Sequence, residues 1–232
     1  SLDVSKFSTS KVTDMAGMFY GCSKLVELDV SKFDTSNVQD FSYTFYGLSS
    51  LSSLDVSNFV TSNANDMSYM FQKCSSLGVL DVSNFDTSKV PDMNFMFGYC
   101  ELLTSLDISN FDTSNVVDFS NMFNGCFLLE NLDLKNFKTS SALYLDRLFT
   151  DCSSLTSLNV ADFDTSNAKN MSGMFMGLTE ISSINVNKFK TQNVEDMSYL
   201  FQHCISLTSI DLTNFDTNKV IYMNNMFQYC TD

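Results

Sequence analysis

Hydrophobic and polar residues follow one short pattern, which is clearest within residues 103–130. Leu106, Ile108 and Phe111 alternate with polar residues, as in a short β-strand with one buried face. Residues 112–115, Asp-Thr-Ser-Asn, predict a turn because their side chains hydrogen-bond to nearby backbone groups. The first half of the pattern therefore predicts a strand followed by a turn.

A different hydrophobic spacing follows this turn. After a second short extended piece, apolar residues stand at i, i+3, i+4 and i+7: Phe119, Met122, Phe123 and Cys126. This is the spacing of one face of an α-helix about two turns long. Asp118 or Ser120 is the expected N-cap of this helix, and Gly125 is the expected stop. The predicted unit is strand, turn, second extended piece and short helix.

This unit occurs nine times at a spacing of 26 residues, without insertion or deletion. Its first aromatic residue falls at Phe7, Phe33, Phe59, Phe85, Phe111, Phe137, Phe163, Phe189 and Phe215. A period between 20 and 50 residues indicates a solenoid, in which each unit buries its apolar face against its neighbours. We therefore predict an α/β solenoid, a right-handed stack of coils, as a single array over residues 1–232 whose last unit is incomplete. We also expect this array to be a segment of a longer one.

The only proline, Pro91, lies in the second extended piece of the fourth unit. Proline has no backbone N–H to give to a ladder. We therefore expect this piece to be weakly paired in that unit.

The composition restricts the class of partner. The chain carries 27 acidic against 13 basic residues, a net charge of −14. Nucleic-acid binding depends on basic surface that neutralises phosphates, and the same charge disfavours anionic membranes. No apolar run reaches the ~18 residues of a membrane span. We expect no nucleic-acid partner and no membrane insertion of this segment.

Aspartate recurs in the strand at the same position of successive units. Because these residues alternate with inward Leu and Val, we expect them to line the concave face, where the candidate binding residues are Asp29, Asp55, Asp81, Asp107 and Asp133. Neighbouring like charges repel, so we expect local hydrogen bonds and solvent, or bound Ca²⁺ bridging successive units, to relieve the repulsion. Without a cation, repulsion should raise the pKa values of these groups and make the fold more stable as the pH falls.

Two further columns contain reactive or polar groups. All seven cysteines occupy one position, which Leu48 and Leu178 fill in the other two units. Leucine replaces only a buried apolar thiol, so we expect free cysteines in the core. A threonine follows each first aromatic residue by two positions, from Thr9 to Thr217. This row can bond the turn backbone, or it can order water as an ice-binding surface does.

Aromatic residues on the other half of the unit are the second set of candidate contacts. Tyr43, Tyr69, Phe95 and Tyr199 precede the Met-Phe, Thr-Phe or Leu-Phe pair of their units. We expect them to lie partly exposed on the convex side, where exposed aromatic residues often make protein contacts. No catalytic constellation and no phosphate-binding glycine loop is present in the sequence, so we expect no enzyme and no cofactor beyond the possible Ca²⁺.

The combined motif resembles a known family. The run L-x-x-L-D-V-S-x-F with M-x-x-M-F-x-G-C, as in residues 80–100 and 106–126, is similar to the BspA-like leucine-rich repeat surface proteins of the 26-residue, mycoplasma-lipoprotein type. The resemblance runs from end to end and weakens in the sixth unit. It implies an extracellular cell-surface protein whose partners are host or partner-cell surface or matrix proteins, or neighbouring copies.

Two functions remain open at this point. The resemblance favours an adhesion or protein-recognition module without catalytic activity. The regularity of the array also fits a spacer that projects another domain from the cell surface, stabilised by calcium if the aspartate rows bind it.

Overall fold

The computed structural model describes residues 2–230, and these residues form a stack of nine coils. The coils comprise residues 2–27, 28–53, 54–79, 80–105, 106–131, 132–157, 158–183, 184–209 and 210–230. Equivalent positions of successive coils pair in parallel, as between Asp14 and Asp40 and between Asp118 and Tyr144. The solenoid prediction is confirmed, because residues 26 apart in the sequence lie next to each other along the stack.

The predicted helix is absent, and the α/β description was wrong in this respect. Residues 2–230 contain no α-helix, and their β-pairing consists of isolated single-residue bridges. The segment from 119 to 126 is instead a run of overlapping turns, in which Met122 and Cys126 donate N–H to the carbonyls of Phe119 and Phe123, three residues back. Such turns bring residues at i, i+3, i+4 and i+7 to one side as a helix does, so the hydrophobic spacing could not separate the two.

Two left-handed residues in each coil exclude a helix. In the fifth coil they are Asn121 at φ 60° and Gly125 at φ 73°, four residues apart. A right-handed helix cannot contain this conformation. Asp118, one of the two expected caps, accepts the N–H of the other, Ser120, at 2.7 Å, but the bond closes a turn and neither residue starts a helix.

The backbone groups that a helix would pair internally are directed to the next coil. The N–H groups of Met15, Gly17, Phe19 and Gly21 donate to carbonyls of the second coil at 2.8–2.9 Å. The same offsets recur between later coils, as from Phe119 to the carbonyl of Tyr144. Each of these N–H groups points towards the C-terminal end of the stack. Three of these four offsets form continuous one-way hydrogen-bonded chains through the coils, and the chain through Met15 is interrupted at Met67, before the coil that contains Pro91.

At the second extended piece the shorter backward hydrogen bond of each coil comes from the residue that Pro91 replaces in the fourth coil, and proline has no N–H to make it. Asn65 donates to Gln39, and Val117 donates to the carbonyl of Pro91. Asp40 pairs with Asp66 and Asp92 pairs with Asp118, whereas no bridge joins Asp66 to Asp92 in the described chain. The weak pairing at this position is confirmed, and it leaves the stack uninterrupted.

Phenylalanine fills the core from the first coil to the last. Phe123, fully buried, stacks on Phe97 and Phe149 with both ring centroids at 5.9 Å. The column continues at centroid distances of 5.5–6.2 Å through Phe19, Phe45, Phe71, Phe97, Phe123, Phe149, Phe175, Phe201 and Phe227. The interplanar angles of 3–13° show that successive coils repeat almost by translation.

Threonine side chains join successive coils at the turn after the first aromatic residue, where few backbone hydrogen bonds run between coils. Thr113 Oγ1 accepts the N–H of Lys138 at 2.6 Å and donates to the carbonyl of the same residue at 3.0 Å. Thr35 makes the same pair of bonds to Val60. These threonines bond the turn backbone, but the turn belongs to the next coil. The row is buried from Thr9 to Thr191, and Thr217 in the last coil is exposed. The row therefore cannot order water at a surface, and the ice-binding alternative was wrong.

Candidate interaction surfaces

The aspartates of the strand half lie exposed in a row, as predicted. The candidate residues of this row are Asp29, Asp55, Asp81, Asp107 and Asp133. Each carboxylate accepts the backbone N–H two residues ahead at 2.9–3.0 Å, as Asp55 does from Ser57. Asn159 and Asn185 accept the same bond in the seventh and eighth coils. The position therefore needs an acceptor for the turn more than it needs a charge.

The expectation of raised pKa values in this row was wrong. The hydrogen bonds from Ser57 hold the pKa of Asp55 below its usual range, and Ser31 and Ser109 do the same for Asp29 and Asp107. The charge of Asp29 acts in the raising direction on Asp55, but less strongly than these bonds. Local hydrogen bonding to the charged form therefore outweighs the repulsion between coils.

A few carboxylates on the turn side of the coil behave differently. Burial raises the pKa of Asp92, Asp146 and Asp151, and Ser120 donates to Asp146 at 2.9 Å. Among residues 2–230 no group of three or more His, Cys, Asp or Glu side chains is arranged to hold a metal ion. Within each coil, hydrogen bonds to the charged form stabilise the strand aspartates.

The four aromatic candidates occupy one position of the turn segment and are half-buried, as predicted for Tyr43, Tyr69, Phe95 and Tyr199. All four have left-handed φ values between 52° and 60°. Tyr43 stacks on Tyr69 with centroids 4.4 Å apart, and Tyr69 stacks on Phe95 at 5.1 Å. Because the ring faces cover one another, the edges of the rings are the part that solvent reaches.

Two further aromatic residues extend this group and were missed in the sequence. Tyr20 stacks on Tyr46 at 4.5 Å, and both rings lie within 6 Å of Tyr43. We call Tyr20, Tyr43, Tyr46, Tyr69 and Phe95 the aromatic ladder. The sequence signal that was missed is the 26-residue offset between Tyr20 and Tyr46. The geometry of the turns then places both rings beside Tyr43.

The aromatic ladder is confined to the first four coils. In the fifth, sixth and seventh coils its main position holds Asn121, Arg147 and Gly173. Tyr199 in the eighth coil is therefore separated from the other three candidates, and it does not join their surface. The structure brings together three of the four predicted aromatic contacts.

Five of the seven cysteines lie in the core as free thiols, as predicted, whereas the prediction was wrong for Cys22 and Cys230, which lie in the two end coils and are exposed and half-buried. Cys74, Cys100, Cys126 and Cys152 are fully buried, and each thiol donates to a phenylalanine carbonyl of the preceding coil at 3.1–3.2 Å. Burial raises the pKa of Cys126 to about 12. These thiols are therefore protonated and unreactive, in contrast to Cys22, which is exposed.

The comparison with protein families gives one match over the whole chain. The model described as Mycoplasma protein of unknown function, DUF285, matches residues 1–79, 77–183 and 144–232. No curated protein matches the chain. The described residues contain no helix with the length and hydropathy needed to cross a bilayer.

Solved structures of leucine-rich repeat proteins show a distant likeness. A Bacteroides ovatus protein is 15% identical, covers 96% of this chain and 63% of its own, and superposes with a TM-score of 0.41. A Leptospira interrogans protein has 11% identity, coverage of 82% and 60%, and a TM-score of 0.27. The functional domain of InlJ from Listeria monocytogenes, described as including a cysteine ladder, has 17% identity, coverage of 100% and 56%, and a TM-score of 0.26. The chain spans less than two thirds of each structure, and TM-scores this low carry no argument about function.

Proposed function

The chain belongs to the DUF285 family of Mycoplasma proteins, and from that premise we propose that it is a protein-recognition module that acts in adhesion at the cell surface. The proposed partner is a surface or matrix protein of a host or partner cell. The resemblance of the repeat motif to BspA-like surface proteins supports the extracellular placement.

The observation that carries this proposal is the aromatic ladder. Tyrosine gives a large, rigid contact area at a low cost in conformational entropy, which is why it is abundant in protein-binding surfaces. Here Tyr43 and Tyr69 are held by stacking and by a left-handed backbone before any partner arrives. Such preorganisation lowers the entropy cost of binding.

The strand aspartates offer a weaker surface for the same purpose. One oxygen of each carboxylate already accepts a hydrogen bond within its own turn, as that of Asp107 does from the N–H of Ser109. Their side chains are separate exposed charges without an apolar anchor, and exposed ion pairs contribute little to affinity. We therefore place the main contacts on the aromatic ladder.

A spacer that projects another domain is the second candidate. The unbroken phenylalanine column favours it, because nine coils at constant spacing make a structure whose reach depends only on their number. The two functions differ in whether a particular coil face matters.

Adhesion of coated beads to immobilised matrix proteins separates them. The variant Tyr43→Asn with Tyr69→Asn removes two ladder rings, while Asn121 and Asn225 show that asparagine adopts the same left-handed position. Tyr144→Asn is the matched control, because Tyr144 is exposed outside the ladder and Asn170 fills its position in the next coil. Recognition predicts that adhesion is lost only in the ladder variant.

Deletion of residues 106–157 removes the fifth and sixth coils and leaves the repeat in register. Recognition predicts that this deletion leaves adhesion intact, since the first four coils remain. Adhesion that changes with the number of coils and is unaffected by substitution of Tyr43 and Tyr69 would establish the spacer function instead. Absence of adhesion to every matrix protein would overturn the recognition proposal.

A further inference from the structure

We propose that the aromatic ladder binds a basic, arginine-containing segment of its partner protein, with the carboxylates of Asp40, Asp66, Asp92 and Asp118 as counter-charges. This inference rests on the recognition function proposed above. It adds the chemical class of the partner, which the resemblance to other repeat proteins does not supply.

The carboxylates follow the ladder coil by coil. Asp40, Asp66 and Asp92 each stand three residues before a ladder ring, and all three are partly exposed. The charge of Asp66 acts on the hydroxyl of Tyr43, and the charges of Asp92 and Asp118 act on Tyr69. Burial first, and then these and neighbouring groups, raise the pKa of Tyr69 to about 12. The ladder therefore lies in a negative potential.

One oxygen of each carboxylate remains for a partner. Oδ1 of Asp66 accepts the N–H of Ser68 at 2.8 Å, and Oδ1 of Asp92 accepts that of Asn94 at 2.9 Å. Within residues 2–230 Oδ2 of neither residue has a hydrogen-bond donor. A guanidinium group has five N–H donors in a planar fork, so it can donate to such an oxygen and still have donors for a second acceptor.

A cation already lies on this surface. The Nζ atom of Lys73 lies 5.5 Å from the ring centroid of Tyr46, within the range of a cation–π contact. Lys73 is itself exposed. A ladder tyrosine thus already accepts a basic side chain in the molecule itself.

Other partner chemistries fit less well. A sugar ring binds on an open aromatic face, whereas the faces of Tyr43 and Tyr69 cover each other at an angle of 7°. An acidic peptide or a nucleic acid would meet the repulsion of the carboxylate row and of a net charge of −14. A basic polypeptide segment is the class that the rings and the charges both favour.

The test uses a fluorescein-labelled decapeptide with four arginines spaced by serine and glycine, titrated with the chain and followed by anisotropy. The variant Asp66→Asn with Asp92→Asn removes two charges and keeps the turn, because Asn170 accepts the N–H of Ser172 from the same position. Asp55→Asn with Asp81→Asn is the matched control in the strand half, where Asn159 and Asn185 occur naturally. Both variants change the net charge equally.

We expect the first variant to weaken peptide binding about 3- to 30-fold, as two partly exposed charge pairs do, and the control to change it less than about twofold. The ladder variant Tyr43→Asn with Tyr69→Asn should weaken it as well. Equal weakening by both aspartate variants, or equal binding of a peptide with glutamate in place of arginine, would overturn the proposal. If coated beads adhere through Tyr43 and Tyr69 while the aspartate variants bind the peptide alike, the recognition function stands and the basic partner is wrong.

Discussion

The left-handed residues of the turn segment make a quantitative prediction at Arg147. Its φ is 53° and its side chain is exposed, and glycine holds the same position in the first and seventh coils at φ 63° and 61°. A residue with a Cβ pays about 1–2 kcal/mol in the left-handed region. Glycine avoids that cost but loses about 0.5–1 kcal/mol more conformational freedom on folding than alanine does.

The predicted order at this position is therefore the reverse of the usual one. Arg147→Gly should be more stable than Arg147→Ala by roughly 0.5–1 kcal/mol, the difference between these two terms. Lys138 supplies the control, because it is exposed in the same coil and its φ lies outside the left-handed region. There Lys138→Gly should be less stable than Lys138→Ala by about 0.5–1 kcal/mol. The difference between the two sites, about 1–2 kcal/mol, equals the left-handed cost itself.

Urea unfolding followed by circular dichroism measures all four variants. The slope of each transition must agree among variants, since a changed slope means that the cooperative unit has changed. Both sites lie in the sixth coil, so any local unfolding of that coil affects the stability of all four variants in the same way. If the glycine variant is less stable than the alanine variant at both Arg147 and Lys138, the run of overlapping turns is wrong and the segment is helical.

Four other predictions concern the core, the threonine row, the aspartates and the thiols. Phe123→Ala should lose about 3–5 kcal/mol of unfolding free energy, and Phe123→Leu clearly less, in the same urea assay. Thr113→Val leaves the N–H and carbonyl of Lys138 without their partner and should cost about 1–3 kcal/mol, whereas Thr113→Ser keeps both bonds and should cost less. Carboxylates such as Asp55, whose pKa is lowered from 3.8, stabilise the fold above that pH, so stability should be lost as the pH falls below about 4. Asp92 and other groups with a raised pKa should give a small gain in stability before that loss begins. A melting temperature that keeps rising below about pH 3 in an acid titration would contradict this. Cys22 should react with iodoacetamide at once and Cys126 only after unfolding, as mass spectrometry of the labelled peptides can show.

The sequence was sufficient to predict the stacking and the columns. A strict 26-residue period places Phe97 beside Phe123, and the exchange of cysteine for Leu48 and Leu178 shows that the thiols are buried. Both inferences need only the offset between units and the side-chain types. They hold whatever the local backbone conformation is.

The local conformation was not predictable from hydrophobic spacing, because a helix and a ribbon of turns share it. A signal was nevertheless present in the glycines. Gly17 with Gly21, and Gly173 with Gly177, stand four apart at the two left-handed positions. Other coils fill these positions with Tyr, Asn, Arg, Asp, Lys, Phe or His, which hides the pattern. The absence of β-branched residues from both positions is the remaining trace of the left-handed requirement.

The ladder candidates were found only in part for the same reason. Tyr43, Tyr69 and Phe95 follow from the column alone, since they share one offset. Tyr20 and Tyr46 lie at another offset and meet Tyr43 only because the turns fold back within each coil. Side chains that meet through turn geometry are invisible to a rule based on helical periodicity.

The one-way hydrogen bonds between coils give the stack an electrical polarity. In each coil the peptide units that end at residues equivalent to Met15, Gly17, Phe19 and Gly21 are aligned, so their dipoles add along the axis. Their N–H groups point towards the C-terminal side, which makes that side the positive one, opposite to the sense of an α-helix. Whatever covers a coil on its C-terminal side must bring acceptors or negative charge, and whatever covers the other side must bring donors. Two such stacks that join end to end through these hydrogen bonds would therefore pair head to tail.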